Sequence, residues 1–197
     1  MSGSEPGHRI ESVATVYEGW GRLLLATLRT PDGSQILRQV EDHGDAVGVL
    51  PYDAARGTVL LVRQSRPPLI FRGETDSVYE VLAGRIDAGE DAEATARREA
   101  LEECGVALNT LALVGHFFSM PAVSTERLSL YLAPYSLADR TGAGGGLAHD
   151  HEDIEVIEMR LDELWAMGMP ALADMKTAIL VLALRERLAA QAWPPTG

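Results

Sequence analysis

Apolar residues run through the middle of this chain in short, dense blocks of strand length, and that pattern sets the expected fold. Residues 45–52 and 57–65 are rich in Val, Leu and Ala and are separated by the turn sequence Asp53-Ala54-Ala55-Arg56-Gly57. Runs of that kind are strands covered on both faces. Ahead of them, residues 12–17, 21–30 and 34–41 read as three more strands, the last two joined by Pro31-Asp32-Gly33. A segment of about 40 residues cannot enclose its own core. This N-terminal β segment is therefore expected to pack on the rest of the chain or on a second chain.

Further along, Pro67-Pro68 is expected to break the chain, and residues 78–83 to form a strand leading into a helix. Strands follow near residues 111–118, 128–134 and 154–160. A short helix is expected at 161–167 and a longer one, rich in Ile, Leu and Ala, at 174–190. The loop 138–151 contains Gly142-Ala143-Gly144-Gly145-Gly146, which predicts low rigidity, and a loop of this length is either functional or disordered. Interleaved strands and helices predict an α/β/α sandwich with a mixed sheet, preceded by a small N-terminal antiparallel β segment. The boundary is expected at residues 1–44 and 45–197.

The helix after residue 90 is the one whose polar face demands an explanation. From Gly84 the chain reads Gly-x5-Glu-x7-Arg-Glu-Ala-x-Glu-Glu-x-Gly-Val, with Glu90, Arg98, Glu99, Glu102, Glu103 and Gly105 at the polar and terminal positions. Glu99, Glu102 and Glu103 stand at i, i+3 and i+4 and share one helical face. Like charges so placed repel by about a few tenths of a kcal/mol per pair. A hard cation such as Mg²⁺ or Mn²⁺ relieves that repulsion. Asp91 or Gly89 can open the helix, and Gly105 suits a left-handed cap at its end. Ala92, Ala94, Ala96 and Ala100 are small enough for close approach to a sheet. Arg98 can pair with Glu102 one turn on or reach back to Glu90. Taken alone, such a helix is most simply a solvated, salt-bridged surface.

Composition narrows the partners. A net charge of −12 over 197 residues argues against nucleic acid and against an anionic membrane surface. An anionic substrate would then be met by a few placed arginines and metal. The single cysteine, Cys104, permits no internal disulfide and suits core filling in a reducing cytosol. Residues 1–12 are polar and lack the apolar stretch of a secretory signal. No apolar run approaches the ~20 residues that span a bilayer. A cytoplasmic protein is expected.

The full spacing from Gly84 to Val106 resembles the Nudix box, the signature of hydrolases acting on a nucleoside diphosphate linked to another moiety. Ala100, where a larger aliphatic residue is usual, is the one soft departure. The resemblance implies that Glu99 and Glu103 ligate Mg²⁺, with Glu102 as a third ligand or a neighbouring support and the Ala83 carbonyl as another ligand. Glu90 and Arg98 would orient these carboxylates.

Around the box the chain is similar to the ADP-ribose pyrophosphatases and to their relatives, the GDP-mannose hydrolases, from about Tyr17 to Leu188. Pro121 stands where the former have a proline, followed by Ser124-Thr125-Glu126-Arg127, although Ala122 and Val123 replace two usual glycines. Tyr17-Glu18-Gly19-Trp20 resembles the segment whose aromatic residue stacks on the base, and Trp20 offers the flat face this needs. Arg38 and Arg66 match positions holding phosphates or base, a task suited to the guanidinium fork. Arg63 is a weaker candidate for the same work. Glu80 matches a site carboxylate just before the box. A glutamate from the glycine-rich loop acts as base on the attacking water in this family, and here Asp150 and Glu152 are the candidates. His149 and His151 beside them read as solvated.

What this implies is a Mg²⁺-dependent enzyme cleaving the pyrophosphate of a small nucleotide sugar, working as a homodimer whose N-terminal strands reach the partner's site. Glu126-Arg127 favours ADP-ribose, cut to AMP and ribose 5-phosphate. Gly144-Gly145-Gly146 and Tyr135-Ser136 resemble the GDP-mannose hydrolases, which yield GMP and mannose 1-phosphate. ADP-ribose is the preferred reading. A non-catalytic Nudix-fold sensor is the alternative of another class, and the intact acid cluster argues against it.

Overall fold

A computed structural model of the chain describes residues 7–146 and 153–192. In chain order its elements are β1 (Arg9–Glu18), β2 (Arg22–Arg29), β3 (Gln35–Asp42), β4 (Asp45–Asp53), β5 (Thr58–Arg63), α1 (Pro67–Arg72) and β6 (Leu82–Arg85). There follow α2 (Ala92–Cys104), β7 (Ala112–Phe118), β8 (Arg127–Pro134), β9 (Glu155–Arg160), α3 (Leu161–Met167) and α4 (Met175–Ala192). The chain divides into two compact units. One comprises Met1–Asp45 with Phe118–Arg127, the other Ala46–Phe117 with Leu128–Gly197.

In the first unit β1, β2 and β3 form an antiparallel meander, with Thr15 opposite Leu24 and Leu24 opposite Val40. Glu11 ties the three strands together by accepting from Arg29 Nε at 2.8 Å and from Gln35 Nε2 at 2.7 Å. The sheet cannot bury itself. β1 is exposed along its whole length, and Ala26 is the buried apolar side chain of the meander. The segment Phe118–Arg127 closes on the end of β3. Glu41 N donates to Val123 O at 2.8 Å, Thr125 N to Glu41 O at 2.9 Å, and Thr125 Oγ1 to Asp42 Oδ1 at 2.7 Å.

The second unit is built on a six-stranded sheet of order β7-β8-β4-β5-β9, with β6 also paired to β4. The dense apolar runs behave as strands covered on both faces. Val47, Val49, Leu60, Val62, Tyr131 and Ala133 point to one side, against Ala96, Ala100 and Cys104 of α2. Their neighbours Leu50, Tyr52, Val59, Leu61, Leu130 and Leu132 point to the other, against Leu164 of α3 and Leu180, Val181 and Leu184 of α4. Each valine or leucine among them contributes about 1.5–3 kcal/mol on full burial. The expected α/β/α fold class is the one observed. Asp53 closes the β4–β5 turn by accepting from the Ala55 and Arg56 amides, both at 3.0 Å.

Three local expectations need correction. Pro67-Pro68 does not break the chain but opens α1, because proline at the first helical positions lacks only amides that would be unpaired there anyway. The strand before the box is displaced to Leu82–Arg85, while Glu80 makes only an isolated bridge to Val62. The glycine-rich run is pinned rather than loose. Gly145 N donates to Glu103 O at 2.8 Å, Gly146 N to Glu102 O at 3.1 Å and Gly142 N to Gly105 O at 3.2 Å. These bonds satisfy carbonyls at the end of α2 that have no partner within the helix. A Cβ on Gly144, whose φ is +73°, would lie 2.5 Å from Cys104 Cα, so glycine is required for this approach.

Candidate active site

Helix α2 starts where its sequence says it should. Asp91 caps it by accepting from Ala94 N at 2.8 Å, and Gly105 ends it at φ 65°. Ala96 and Ala100 are fully buried, so the short Ala100 matches the close approach of helix to sheet. Ala94, by contrast, is exposed, and Thr95 takes the buried position beside Ala96. With that face against the sheet, the box carboxylates fall on the side next to β6.

Arg98 organises them. Its Nη1 donates to Glu99 Oε1 at 2.7 Å and to Glu102 Oε2 at 3.0 Å. Its Nε reaches Glu90 Oε1 at 3.2 Å, and its Nη2 reaches Glu90 Oε2 at 3.1 Å and the Arg85 carbonyl at 3.3 Å. The sequence left pairing to Glu102 and pairing to Glu90 as alternatives, and one guanidinium makes both. The Glu90 hydrogen bond, followed by the charge of Glu99, raises the Arg98 pKa further, so Arg98 is a fixed cation. Glu90 is held below the usual carboxylate range by Arg98 and by Thr95, whose hydroxyl donates to it at 2.9 Å.

Glu103 is 4 % exposed and accepts from Ala83 N at 3.2 Å. That bond brings the carboxylate against the very residue whose carbonyl is a candidate ligand. Gly84, opposite Val47 on β4, lies beneath Glu99: a Cβ there would overlap the Glu99 carboxylate and lie 2.8 Å from its Cγ. A glycine backbone is therefore part of the cradle. Among the described residues no three acidic, histidine or cysteine side chains are arranged to hold a metal ion, and Arg98 occupies Glu99 and Glu102. Three carboxylates on one face, beside a backbone carbonyl and a Cβ-free strand, fit a hard divalent cation that takes oxygen ligands.

The other predicted site residues fall into two groups. Trp20, Arg38, Pro121 and Glu126 belong to the first unit. Trp20 is 71 % exposed, with its ring centroid 5.2 Å from that of His43. Arg38 is exposed on β3 and donates to its neighbour's carbonyl, Leu37 O, at 2.8 Å. The Glu126 amide donates to Ser124 Oγ at 3.1 Å, in the segment that closes on β3. Arg66 and Glu80 belong to the second unit and grip each other, Nε and Nη2 of the arginine donating to the two carboxylate oxygens at 2.7 and 2.8 Å. Arg63 pairs instead with Ser77 Oγ at 3.1 Å. Asp150 and Glu152, the candidate bases, lie outside the described residues, as do His149 and His151.

One residue of this region escaped the sequence. Lys176 Nζ donates to Glu80 Oε2 at 2.7 Å and lies 3.0 Å from Asp174 Oδ1. A helix rich in Ile, Leu and Ala reads as core, which hid it. The available signal was its rarity, since Lys176 is the only lysine in a chain with sixteen arginines. Cys104 fills the core as expected, and burial, then the charge of Glu103, pushes its thiol up to about 12.

Comparison with known proteins supplies the family. The NUDIX domain matches residues 42–179. The chain belongs to the Nudix family. It is 37% identical over 147 residues to a GDP-mannose pyrophosphatase of Pectobacterium atrosepticum, covering 74% of this chain and 75% of the relative. It is 35% identical over 152 residues to the protein of the same name from Cronobacter sakazakii, covering 76% and 78%. Among solved structures, an ADP compounds hydrolase superimposes with a TM-score of 0.75 over 97% of this chain and 99% of that one, at 19% identity, a likeness of fold. Nudix hydrolases generally use divalent metal ions, which the α2 carboxylates suit. No helix among the described residues of this Nudix hydrolase is long and apolar enough to cross a membrane.

Proposed function

We propose that this Nudix hydrolase cleaves the pyrophosphate of a nucleoside diphosphate sugar. The observation that carries the proposal is the α2 cradle, in which Glu99 lies over Gly84, Glu103 is tied to Ala83, and Arg98 spans Glu90, Glu99 and Glu102. Glu99, Glu103 and Glu102, with the Ala83 carbonyl, would hold Mg²⁺ or Mn²⁺. When bound, the cation neutralises the diphosphate and polarises a water. Trp20 supplies a face for the base, Arg38 and Arg66 supply forked donors to phosphate oxygens, and Pro121 and Glu126 shape the sugar end. A carboxylate, Glu152 or Asp150, takes the proton of the attacking water, a step worth about 10²- to 10⁴-fold in rate.

GDP-mannose is the first substrate to test, because relatives at 37% and 35% identity carry that activity in their names. This reverses the preference for ADP-ribose drawn from Glu126-Arg127, which stays as the second reading. A panel of nucleotide sugars assayed with Mg²⁺ is expected to show release of GMP from GDP-mannose ahead of AMP from ADP-ribose. Chelation should abolish both and added Mg²⁺ restore them. Hydrolysis of free nucleoside triphosphates alone would overturn the substrate class.

The working unit we propose is a homodimer formed through the N-terminal sheet. Ile10, Val13, Val16, Tyr17 and Leu37 are each more than half exposed there, an apolar surface that suits a partner. Trp20 and Arg38 would then act on the partner's substrate. Sedimentation is expected to give twice the 21.2 kDa chain mass, and a Val13→Glu, Val16→Glu variant to give the single mass. A wild-type monomer at working concentration would rule the arrangement out.

A further inference from the structure

Glu80 resembles a substrate-facing carboxylate, but its side chain is already fully employed. It is 4 % exposed, and its two oxygens accept from Arg66 Nε at 2.7 Å, Arg66 Nη2 at 2.8 Å and Lys176 Nζ at 2.7 Å. Burial alone would push this carboxyl upward, yet Arg66 and Lys176 together hold it below the usual range, so it stays an anion. The partners are themselves anchored. Lys176 leans on Asp174 at 3.0 Å, and Asp174 opens α4 by accepting from the Thr177 amide at 2.9 Å. Thr177 Oγ1 in turn accepts from Val81 N at 2.8 Å, which fastens the start of α4 to the residue after Glu80.

Arg66 is fixed from both ends. Its carbonyl accepts from Leu69 N at 2.9 Å in the first turn of α1, whose proline pair presets the helical backbone, and its amide donates to Asp76 O at 2.8 Å. Its guanidinium presents the Nε–Nη2 edge to Glu80, so the other edge of the planar fork points away from the carboxylate. Its side chain is 38% exposed against 5% for Glu80. An anionic ligand would meet the arginine and be repelled by a carboxylate in contact with it.

From this we infer that Glu80 is a positioning residue: it selects which edge of Arg66 is offered to the substrate's diphosphate and does not touch the substrate itself. The inference rests on the reading of Arg66 as a phosphate grip. A long arginine left unpaired loses conformational freedom on binding, and holding it in place beforehand removes that cost.

The test is a double-mutant cycle read by calorimetric titration of ADP and of GDP into the full-length protein, alongside thermal unfolding. Arg66→Ala and Glu80→Gln are each expected to weaken binding about tenfold, the size of one charged hydrogen bond. The double variant should bind no more weakly than Arg66→Ala alone, since Glu80 has nothing left to aim. A double variant weaker by the full product, about 100-fold, would mean that Glu80 acts on its own, and wild-type binding by Glu80→Gln would also overturn the inference. Wild-type binding by Arg66→Ala would remove the phosphate grip itself and the inference with it, a failure visible in that single variant. Should Glu80→Gln unfold, Glu80→Asp keeps the charge, shortens the reach and serves the same comparison.

Discussion

Glu103→Gln is expected to lower kcat by about 10³-fold or more, the scale of losing several kcal/mol of charge stabilisation at a metal-assisted step. The substitution keeps shape and volume. Its amide oxygen can still accept from Ala83 N, the bond that now stands at 3.2 Å, so the contact between α2 and β6 survives. One of three neighbouring negative charges on the helix face disappears, which relieves repulsion with Glu99 and Glu102. The melting temperature should therefore stay close to that of the parent protein while turnover collapses. Release of nucleoside monophosphate and thermal unfolding, measured on the same preparation, separate the two effects. Unchanged turnover would sink the proposed metal role of Glu103.

Gly84→Ala should produce the second largest loss, about 10²-fold in kcat/KM, with little change in stability. Gly84 is not one of the glycines at positive φ, so alanine is acceptable to the backbone. What it is not acceptable to is Glu99, whose Cγ would lie 2.8 Å from the new methyl group and whose carboxylate would overlap it. The obstruction is a flexible side chain, so the fold yields by letting Glu99 swing away from Arg98. A displacement of about 1 Å in a positioning group costs on the order of 10²-fold. Titrating Mg²⁺ against activity should show half-saturation moving to higher metal concentration. If Gly84→Ala matches the parent in both kcat/KM and metal dependence, the position of Glu99 against the strand has no part in catalysis.

Much of this molecule can be read from its order of residues, and the exceptions share a cause. The dense runs at β4 and β5 announce a sheet covered on both faces because burial on both sides removes polar alternation from the sequence itself. Helix α2 is legible because its cap, its small residues and its end are all local signals, spaced by the geometry of one helix. Arg98 was less so. Its alternatives could be named from spacing, but a guanidinium with several donors reaches Glu90, Glu99 and Glu102 together only because the chain before α2 turns back over it. Lys176 and Glu80 meet across 96 residues, and no periodicity carries such a pairing. The proline pair misled for a different reason: proline stops a helix from within and starts one from its first turn, and composition alone does not say which.

The pinned glycines also bear on how this enzyme could be altered. A Cβ on Gly145 would lie 3.8 Å from Ile154 O, so the glycine run that is bonded to the end of α2 also stands beside the residue that leads into β9. Ile154 is buried in the α2-side core, and Gly146 is bonded to the Glu102 carbonyl. Gly145 and Gly146 thus join the end of α2 to the residue that precedes β9. A substitution at Gly144 or Gly145 would therefore be felt at the catalytic helix itself, through the last carbonyls of α2 rather than through its carboxylates.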